Sequence, residues 1–193
     1  MDTRRFVLAA TAALAAALLV PSGTAEARAS ASVTVADMAF SPATVTVGLG
    51  QSVIWTFEDP VAHTTTSDQG FWDSGTKAGG ATYARTFTSA GTFAYHCTIH
   101  TMMRGSVKVP LTTSGTPSKG YQLTWATAKG TGGITYDVQT RLGSGRWVSL
   151  KAGSTATHAK LNPAKAGKYS VRARTVKGGA KSGWSPTATV TIS

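Results

Sequence analysis

Cysteine, histidine and long apolar runs are scarce in this chain. Its 193 residues contain one cysteine, Cys97, and four histidines. A lone cysteine excludes an intramolecular disulfide. Beyond the first 30 residues there is no long run with the 3.6-residue period of a helix, and no second long apolar run. Short alternating runs rich in Val, Ile, Thr and aromatic residues, separated by Gly and Pro turns, instead predict an all-β protein with sandwich or Greek-key sheets.

Acidic residues are also few, and the charge imbalance falls in the second half. The chain carries 19 Lys and Arg against 8 Asp and Glu, a formal net charge of +11. Residues 30–118 hold four basic and five acidic residues, whereas residues 119–193 hold twelve basic residues and one acidic residue, Asp137. A step of this size predicts two units with different partners. We expect units at 32–110 and 111–193, with 111–120 either a linker or a first edge strand.

The first 29 residues have the pattern of a secretory signal peptide. Arg4 and Arg5 precede an apolar core, small residues follow, and cleavage is expected near Ala27–Ala29. The core of about 15 residues is short for a membrane span, so an uncleaved anchor is the weaker alternative. We therefore expect an exported, extracytoplasmic protein with no transmembrane segment in the mature chain and no nucleic-acid partner. In such a compartment an unpaired cysteine is a free thiol, an intermolecular link or a metal ligand.

The sequence YHCTIHTMM at 95–103 surrounds that cysteine with soft donor groups. Thiolate, imidazole and thioether are together the ligand set that suits copper. Alternation in the preceding strand puts Phe93, Tyr95 and Cys97 on one face, which the aromatic residue Phe93 marks as the core face. The same alternation turns His96 to the surface. Cys97 should therefore enter an apolar setting from the end of a strand.

Each donor also has an ordinary explanation when taken alone. Cys97 would be a small buried apolar residue, His100 a loop residue and Met103 part of the core. Zinc is the alternative metal, but zinc rarely uses methionine, and His63, Cys97 and His100 leave it one ligand short of a closed tetrahedral site. The joint pattern favours copper over zinc and over no metal.

Further motifs accompany this loop along residues 32–110. They are FSP at 40–42, GQSVIW at 50–55, HT at 63–64, DSG at 73–75, GTFAYHC at 91–97 and MRG at 103–105. With them the segment resembles a cupredoxin, a small blue-copper protein, of the plastocyanin and amicyanin group. The resemblance implies a Greek-key β-sandwich or barrel with one type 1 copper ion. Its ligands would be His63, Cys97 and His100, with Met103 as the weak axial ligand.

Four neighbouring residues complete the expectations for this unit. Many cupredoxins carry asparagine where this chain has Phe57 and Thr64, and we expect Thr64 to help tie the ligand loop. Met102 lies one position before the axial site of the short-loop pattern, so it is predicted to be a surface contact beside His100. Met38 is predicted to belong to the core.

Residues 111–193 carry a looser set of motifs. They are LTW at 123–125, YDV at 136–138, Trp147, Leu161, GKYSVRA at 167–173 and SGWSP at 182–186. With them the segment resembles a fibronectin type III domain, which implies a second β-sandwich at the C-terminus. Core roles are predicted for Trp125, Trp147 and Tyr169.

The arginines of this second unit are predicted to form a positive face. Arg141, Arg172 and Arg174 point outward on the third and sixth strands of such a fold, which are neighbours in one sheet. Such a face either only keeps the protein soluble or docks on an anionic surface, such as a cell-wall polymer, a membrane or an acidic redox partner.

The resemblance implies single-electron transfer, with extracellular copper capture or delivery as the alternative and a vestigial adhesion module as a weaker one. Enzymatic copper chemistry is not expected. Multicopper oxidases and nitrite reductases need further histidine clusters, which four histidines cannot supply. A polysaccharide monooxygenase would need a histidine at its mature N-terminus, and none precedes His63. The sequence does not specify the redox partner.

Overall fold

The structure, a computed structural model, describes residues 30–193, and its regular elements in that range are all β-strands. The signal peptide predicted at 1–29 lies outside the described residues. The all-β prediction is confirmed. The sixteen strands of this range are β1 (Ser30–Ala36), β2 (Ala39–Ser41), β3 (Thr44–Thr46), β4 (Gln51–Phe57), β5 (Thr66–Ser67), β6 (Thr82–Phe87), β7 (Gly91–His96), β8 (Arg104–Val109), β9 (Thr112–Thr116), β10 (Gly120–Thr124), β11 (Ile134–Leu142), β12 (Val148–Ser154), β13 (His158–Leu161), β14 (Gly167–Lys177), β15 (Ala180–Lys181) and β16 (Ala188–Ile192). Within residues 30–193 no helix has the length and hydropathy that a membrane span requires.

Strands β1 to β8 form two four-stranded sheets, in the orders β2-β1-β4-β6 and β3-β8-β7-β5. Strand β1 pairs in parallel with β4, and β3 with β8, while the other pairs are antiparallel. One buried cluster contains inward residues of both sheets. At its centre Trp55 packs edge-on against Tyr95, with ring centroids 5.5 Å apart. The two sheets are therefore joined by one aromatic core.

Strand β7 carries the chain from this core to the predicted ligand loop. Its alternate residues Phe93 and Tyr95 are buried, as is Cys97 directly after it, while His96 is partly exposed. The predicted faces are thus confirmed. The chain then makes a short loop and returns as β8, in which Arg104 pairs with His96. A backbone hydrogen bond joins the two ends of the loop: the Cys97 N–H donates to the Met103 carbonyl at 3.2 Å.

Strands β9 to β16 form a sheet of order β13-β10-β9 and a second sheet in which β12, β11 and β14 are adjacent and β15 and β16 both pair with β14. Residues 112–116, at the predicted linker or edge strand, form the edge strand β9. A second buried cluster contains Trp125 and Tyr169, as predicted. Trp147 does not belong to that cluster, so its predicted core role is wrong. It lies half-buried just before β12, where the guanidinium of Arg172 covers its ring at 4.0 Å.

Backbone hydrogen bonds join the two groups of strands at the start of β7. Thr92 and Gly183 exchange both of their backbone hydrogen bonds, at 2.9 and 2.8 Å, and the Ala90 N–H donates to the Trp125 carbonyl at 2.7 Å. Cys97 lies at the other end of β7. Because an extended strand rises about 3.3 Å per residue, the second unit holds the end of β7 that is remote from the predicted ligand loop.

Candidate metal centre

Three donor atoms converge at the far end of β7. His63 Nδ1, Cys97 Sγ and His100 Nδ1 all lie within 4.8 Å of one another. The two Nδ1 atoms are 3.0 Å apart, and Sγ lies 3.9 Å from the first and 3.8 Å from the second. Because bonds from such metals to nitrogen and sulfur are about 2.0 and 2.3 Å long, one ion can reach all three atoms. The donor set therefore fits a copper ion in both its chemistry and its spacing.

The upstream ligand His63 is held in place by a segment that looked irregular in sequence. His63 is fully buried and lies between β4 and β5. Its backbone N–H donates to the Lys77 carbonyl at 3.0 Å, and the Lys77 N–H donates back at 2.8 Å. The glycine-rich stretch at 70–80 thus supplies the backbone partner that fixes His63.

Two backbone N–H groups donate to the Cys97 sulfur. They belong to Thr64, at 3.3 Å, and His100, at 3.4 Å. The Thr64 hydroxyl also accepts from the backbone N–H of Thr98 at 2.9 Å. Thr64 therefore ties the ligand loop, as expected from the sequence. Both N–H donors therefore point at the sulfur atom that would hold the metal.

Asp59 is a functional residue that the sequence interpretation missed. Its Oδ2 lies 2.9 Å from His63 Nε2, and its two carboxylate oxygens accept from the backbone N–H groups of Asp37 at 2.9 Å and Met38 at 3.2 Å. These two backbone donors, with a contribution from His63, lower the pKa of Asp59. The carboxylate orients the imidazole so that Nδ1 faces the sulfur. The available signal was an acidic residue four positions before a candidate ligand.

The three methionines near the loop have different positions. Met103 is 3% exposed, and its N–H donates to the His100 carbonyl at 3.0 Å. Met102 is 95% exposed, as predicted. Met38 is 50% exposed, so its predicted core position is wrong. The reason is its backbone: Asp37 and Met38 have φ values of 51° and 56°, which form a left-handed turn that carries the Met38 side chain out of the core.

His96 stands apart from the donor cluster. Its Nδ1 lies 2.6 Å from Oδ1 of Asp68. The other Asp68 oxygen is 3.8 Å from a guanidinium nitrogen of Arg104. His96 therefore belongs to a surface ion-pair group and not to the ligand set, as the strand alternation predicted.

The comparisons with known proteins agree with this centre. Residues 27–110 match the family described as copper binding proteins, plastocyanin/azurin family. Through that segment the chain belongs to this family. It is similar to a reduced Cu(I) form of an amicyanin variant, with 30% identity over 42% of this chain and 81% of that chain and a TM-score of 0.40. An oxidized proline variant of amicyanin gives the same values, and a Cu(I) methionine variant differs only in its 29% identity. No curated protein matches the chain.

Family and geometry together confirm copper as the cofactor. The family binds copper, and His63, Cys97, His100 and Met103 are arranged like a type 1 copper site. His63 and Cys97 are fully buried, whereas His100 is partly exposed. Access from solvent therefore runs past the His100 edge.

Proposed function

We propose that this protein is an exported single-electron carrier, with one type 1 copper ion bound by His63, Cys97, His100 and, axially, Met103. The observation that carries the proposal is the convergence of two imidazole nitrogens and one sulfur within 4.8 Å in a largely buried setting. Two imidazoles, a thiolate and a distant thioether suit both oxidation states of copper. A rigid frame of hydrogen bonds means that little has to move when an electron enters or leaves.

Bound copper would supply the one-electron redox chemistry, and the chain would hold the ion and exclude water. Asp59 accepts a hydrogen bond from the Nε2–H group of His63, which leaves the lone pair of Nδ1 free to bind the metal. Cys97 would hold the metal as a thiolate, with its thiol proton released to solvent. The N–H groups of Thr64 and His100 then stabilise the sulfur charge. The partly exposed His100 ring would offer a route for the electron to the surface.

The surface around His100 suits transient contact with a partner protein. Met38, Ile99 and Met102 are exposed there and form a small apolar rim. Residues 30–118, which include this rim, carry a net charge near zero. The second unit contacts the opposite end of β7 and leaves this rim open. An electron carrier needs such a face for fast, weak encounters.

We also infer that residues 111–193 form a fibronectin type III-like docking module. Its two sheets, and the pairing of its third strand β11 with its sixth strand β14, support this fold. The proposal of a positive face is supported by its three arginines, which are partly exposed and stack on the rings of Trp147 and Trp184. Arg174 pairs with Asp137, while Arg141 and Arg172 have no acidic partner among residues 30–193. These two supply the charge for docking on an anionic cell-wall or membrane surface.

Visible and electron paramagnetic resonance spectra of the copper(II)-loaded full chain test the copper proposal. We expect an intense blue colour, which Cys97→Ser abolishes because it removes the thiolate. Met103→Leu should keep copper and raise the reduction potential, whereas its matched control Met102→Leu should leave the potential unchanged. A colourless wild-type protein would overturn the type 1 assignment. A blue protein with very slow electron self-exchange would instead favour copper capture or delivery.

A further inference from the structure

A cavity opens beside the partly exposed candidate ligand His100. Its volume is about 360 Å³, and it is lined by Met38, Ile99, His100, Thr101, Met102 and Met103. Three of the four methionines in the chain therefore line one cavity. Only Met103 belongs to the ligand set. Met38 and Met102 are the two lining methionines outside that set, and both are exposed to solvent.

The backbone of Met38 is unusual for its residue type. Asp37 and Met38 both adopt left-handed φ values in the turn between β1 and β2. Two-residue turns of this kind favour Asn-Gly or Asp-Gly, because glycine tolerates positive φ and methionine does not. The Asp59 carboxylate binds both N–H groups of the turn and, at the same time, the ring of His63. The disfavoured backbone conformation of Met38 is thus linked through Asp59 to the ligand His63. Burial of the Met38 side chain does not explain this conformation, because that side chain is half exposed.

We propose that Met38 and Met102 form an entry site that captures Cu(I) and passes it to the buried ligands through His100. The inference rests on the copper site proposed above. Thioethers are soft ligands that select Cu(I), whereas Cu(II) favours nitrogen and oxygen donors. His63 and Cys97 are fully buried, so an ion from solvent meets the cavity and the His100 edge first. Copper remains Cu(I) throughout, and the Cys97 thiol proton leaves to solvent when the thiolate binds.

The test compares copper uptake by the metal-free full chain with uptake by Met38→Leu/Met102→Leu. Leucine keeps the apolar volume and removes only the sulfur atoms. Cu(I) is supplied as its bicinchoninate complex, and the loss of the chelator colour gives the uptake rate. We expect the double variant to take up Cu(I) about tenfold more slowly, the lower end of what loss of a supporting residue costs a metal site. Uptake of Cu(II) from copper sulfate should keep its wild-type rate.

Two controls separate entry from other effects. Ile99→Val trims the same cavity without touching a sulfur atom and should leave both uptake rates unchanged. The loaded double variant, oxidised with ferricyanide, should show the wild-type spectrum, because neither residue is a final ligand. Met102→Leu alone, at a position that is 95% exposed, should fold normally and show part of the effect.

The outcomes separate this inference from the copper proposal. Equal Cu(I) uptake by the wild type and the double variant would overturn the entry site while leaving the copper proposal intact. Equal slowing of Cu(I) and Cu(II) would also overturn it, because that result indicates restricted access and not thioether chemistry. A wild-type protein that binds copper but gives no blue colour after oxidation would instead refute the type 1 site.

Discussion

The two halves of the molecule use their aromatic residues in opposite ways. In the first, Trp55 and Trp72 pack inside the core. In the second, Trp125 is in the core, while Trp147 and Trp184 lie outside it and stack against arginines. A buried metal centre needs a rigid frame that excludes water. A crowded row of like charges is instead stabilised by aromatic rings, whose electron-rich faces attract the cations.

The two halves also differ in how closely their positive charges are crowded. Burial, followed by the charges of Arg141 and Arg174, lowers the pKa of Arg172. In residues 30–118, by contrast, four basic residues are balanced by five acidic ones. The functional groups of the first half are therefore buried metal-binding atoms, whereas those of the second half are charged side chains on the face of a sheet.

Copper removal should have the largest effect and should act through the first half. A ligand that binds only the native state stabilises it by about 4 kcal/mol at a thousandfold excess over its dissociation constant. Calorimetry should therefore show a higher melting temperature for the copper form than for the metal-free form. Cys97→Ser should melt at the same temperature with and without copper. Equal melting of the two wild-type forms would argue against a preformed site.

Replacing single tryptophans with alanine should show which of them stabilise the core of the second half and which only cover its basic face. Trp125→Ala should lower the free energy of unfolding by about 3–5 kcal/mol, because it removes a fully buried ring. Trp147→Ala should cost about 1 kcal/mol, the size of a partly exposed cation–π contact. Denaturant unfolding of the metal-free protein measures both. Similar losses would mean that Trp147 contributes to the core after all.

The residues that could be predicted from the sequence are those with a local signal. Strand alternation correctly placed Cys97 in the core and His96 at the surface, and loop spacing separated Met102 from Met103. Asp59 was missed because its two functions, binding His63 and holding the turn at 37–38, depend on contacts between separate loops.

The two wrong predictions share a physical cause. Met38 is predicted to be in the core because it lies two positions before Phe40, and Trp147 because it is a large aromatic residue; both predictions use local sequence pattern alone. Met38 is carried outward by a left-handed turn that alternation does not reveal. Trp147 is covered by Arg141 and Arg172, which come from strands far apart in sequence. Hydrophobic pattern alone cannot distinguish burial in a core from burial under a guanidinium group.

A single hydroxyl should reveal how strongly the two halves are coupled. Thr175 Oγ1 lies 2.7 Å from Ser89 Oγ and 3.0 Å from the Ala90 carbonyl, across the junction. Thr175→Val leaves these buried groups without that partner, at a cost of about 1–3 kcal/mol. The same substitution at exposed Thr189, on the neighbouring strand β16, should change stability by less than about 0.5 kcal/mol. Equal unfolding curves for both variants would show that the junction contributes little.

The smallest expected effect concerns Asp137, the one acidic residue of the basic half. Burial raises its pKa, but the backbone N–H of Gly153 and the guanidinium of Arg174 outweigh burial and hold the pKa below the ordinary 3.8. A carboxylate with a lowered folded-state pKa stabilises the protein above its unfolded-state pKa and loses that contribution as the pH falls through the folded-state value. Wild type should therefore lose stability on acidification below pH 3.8.

Asp137→Asn should remove this contribution at neutral pH and flatten the acid limb of the stability curve. The loss should be below about 1 kcal/mol, because the pair with Arg174 is partly exposed. Urea unfolding measured at several pH values tests this, with exposed Glu58→Gln in the near-neutral half as the charge-matched control. Parallel curves for wild type and Asp137→Asn would show that Asp137 contributes no pH-dependent stability. If the basic face does bind anions, Asp137→Asn should also elute later than Glu58→Gln from an anionic resin, because it frees a third arginine on that face.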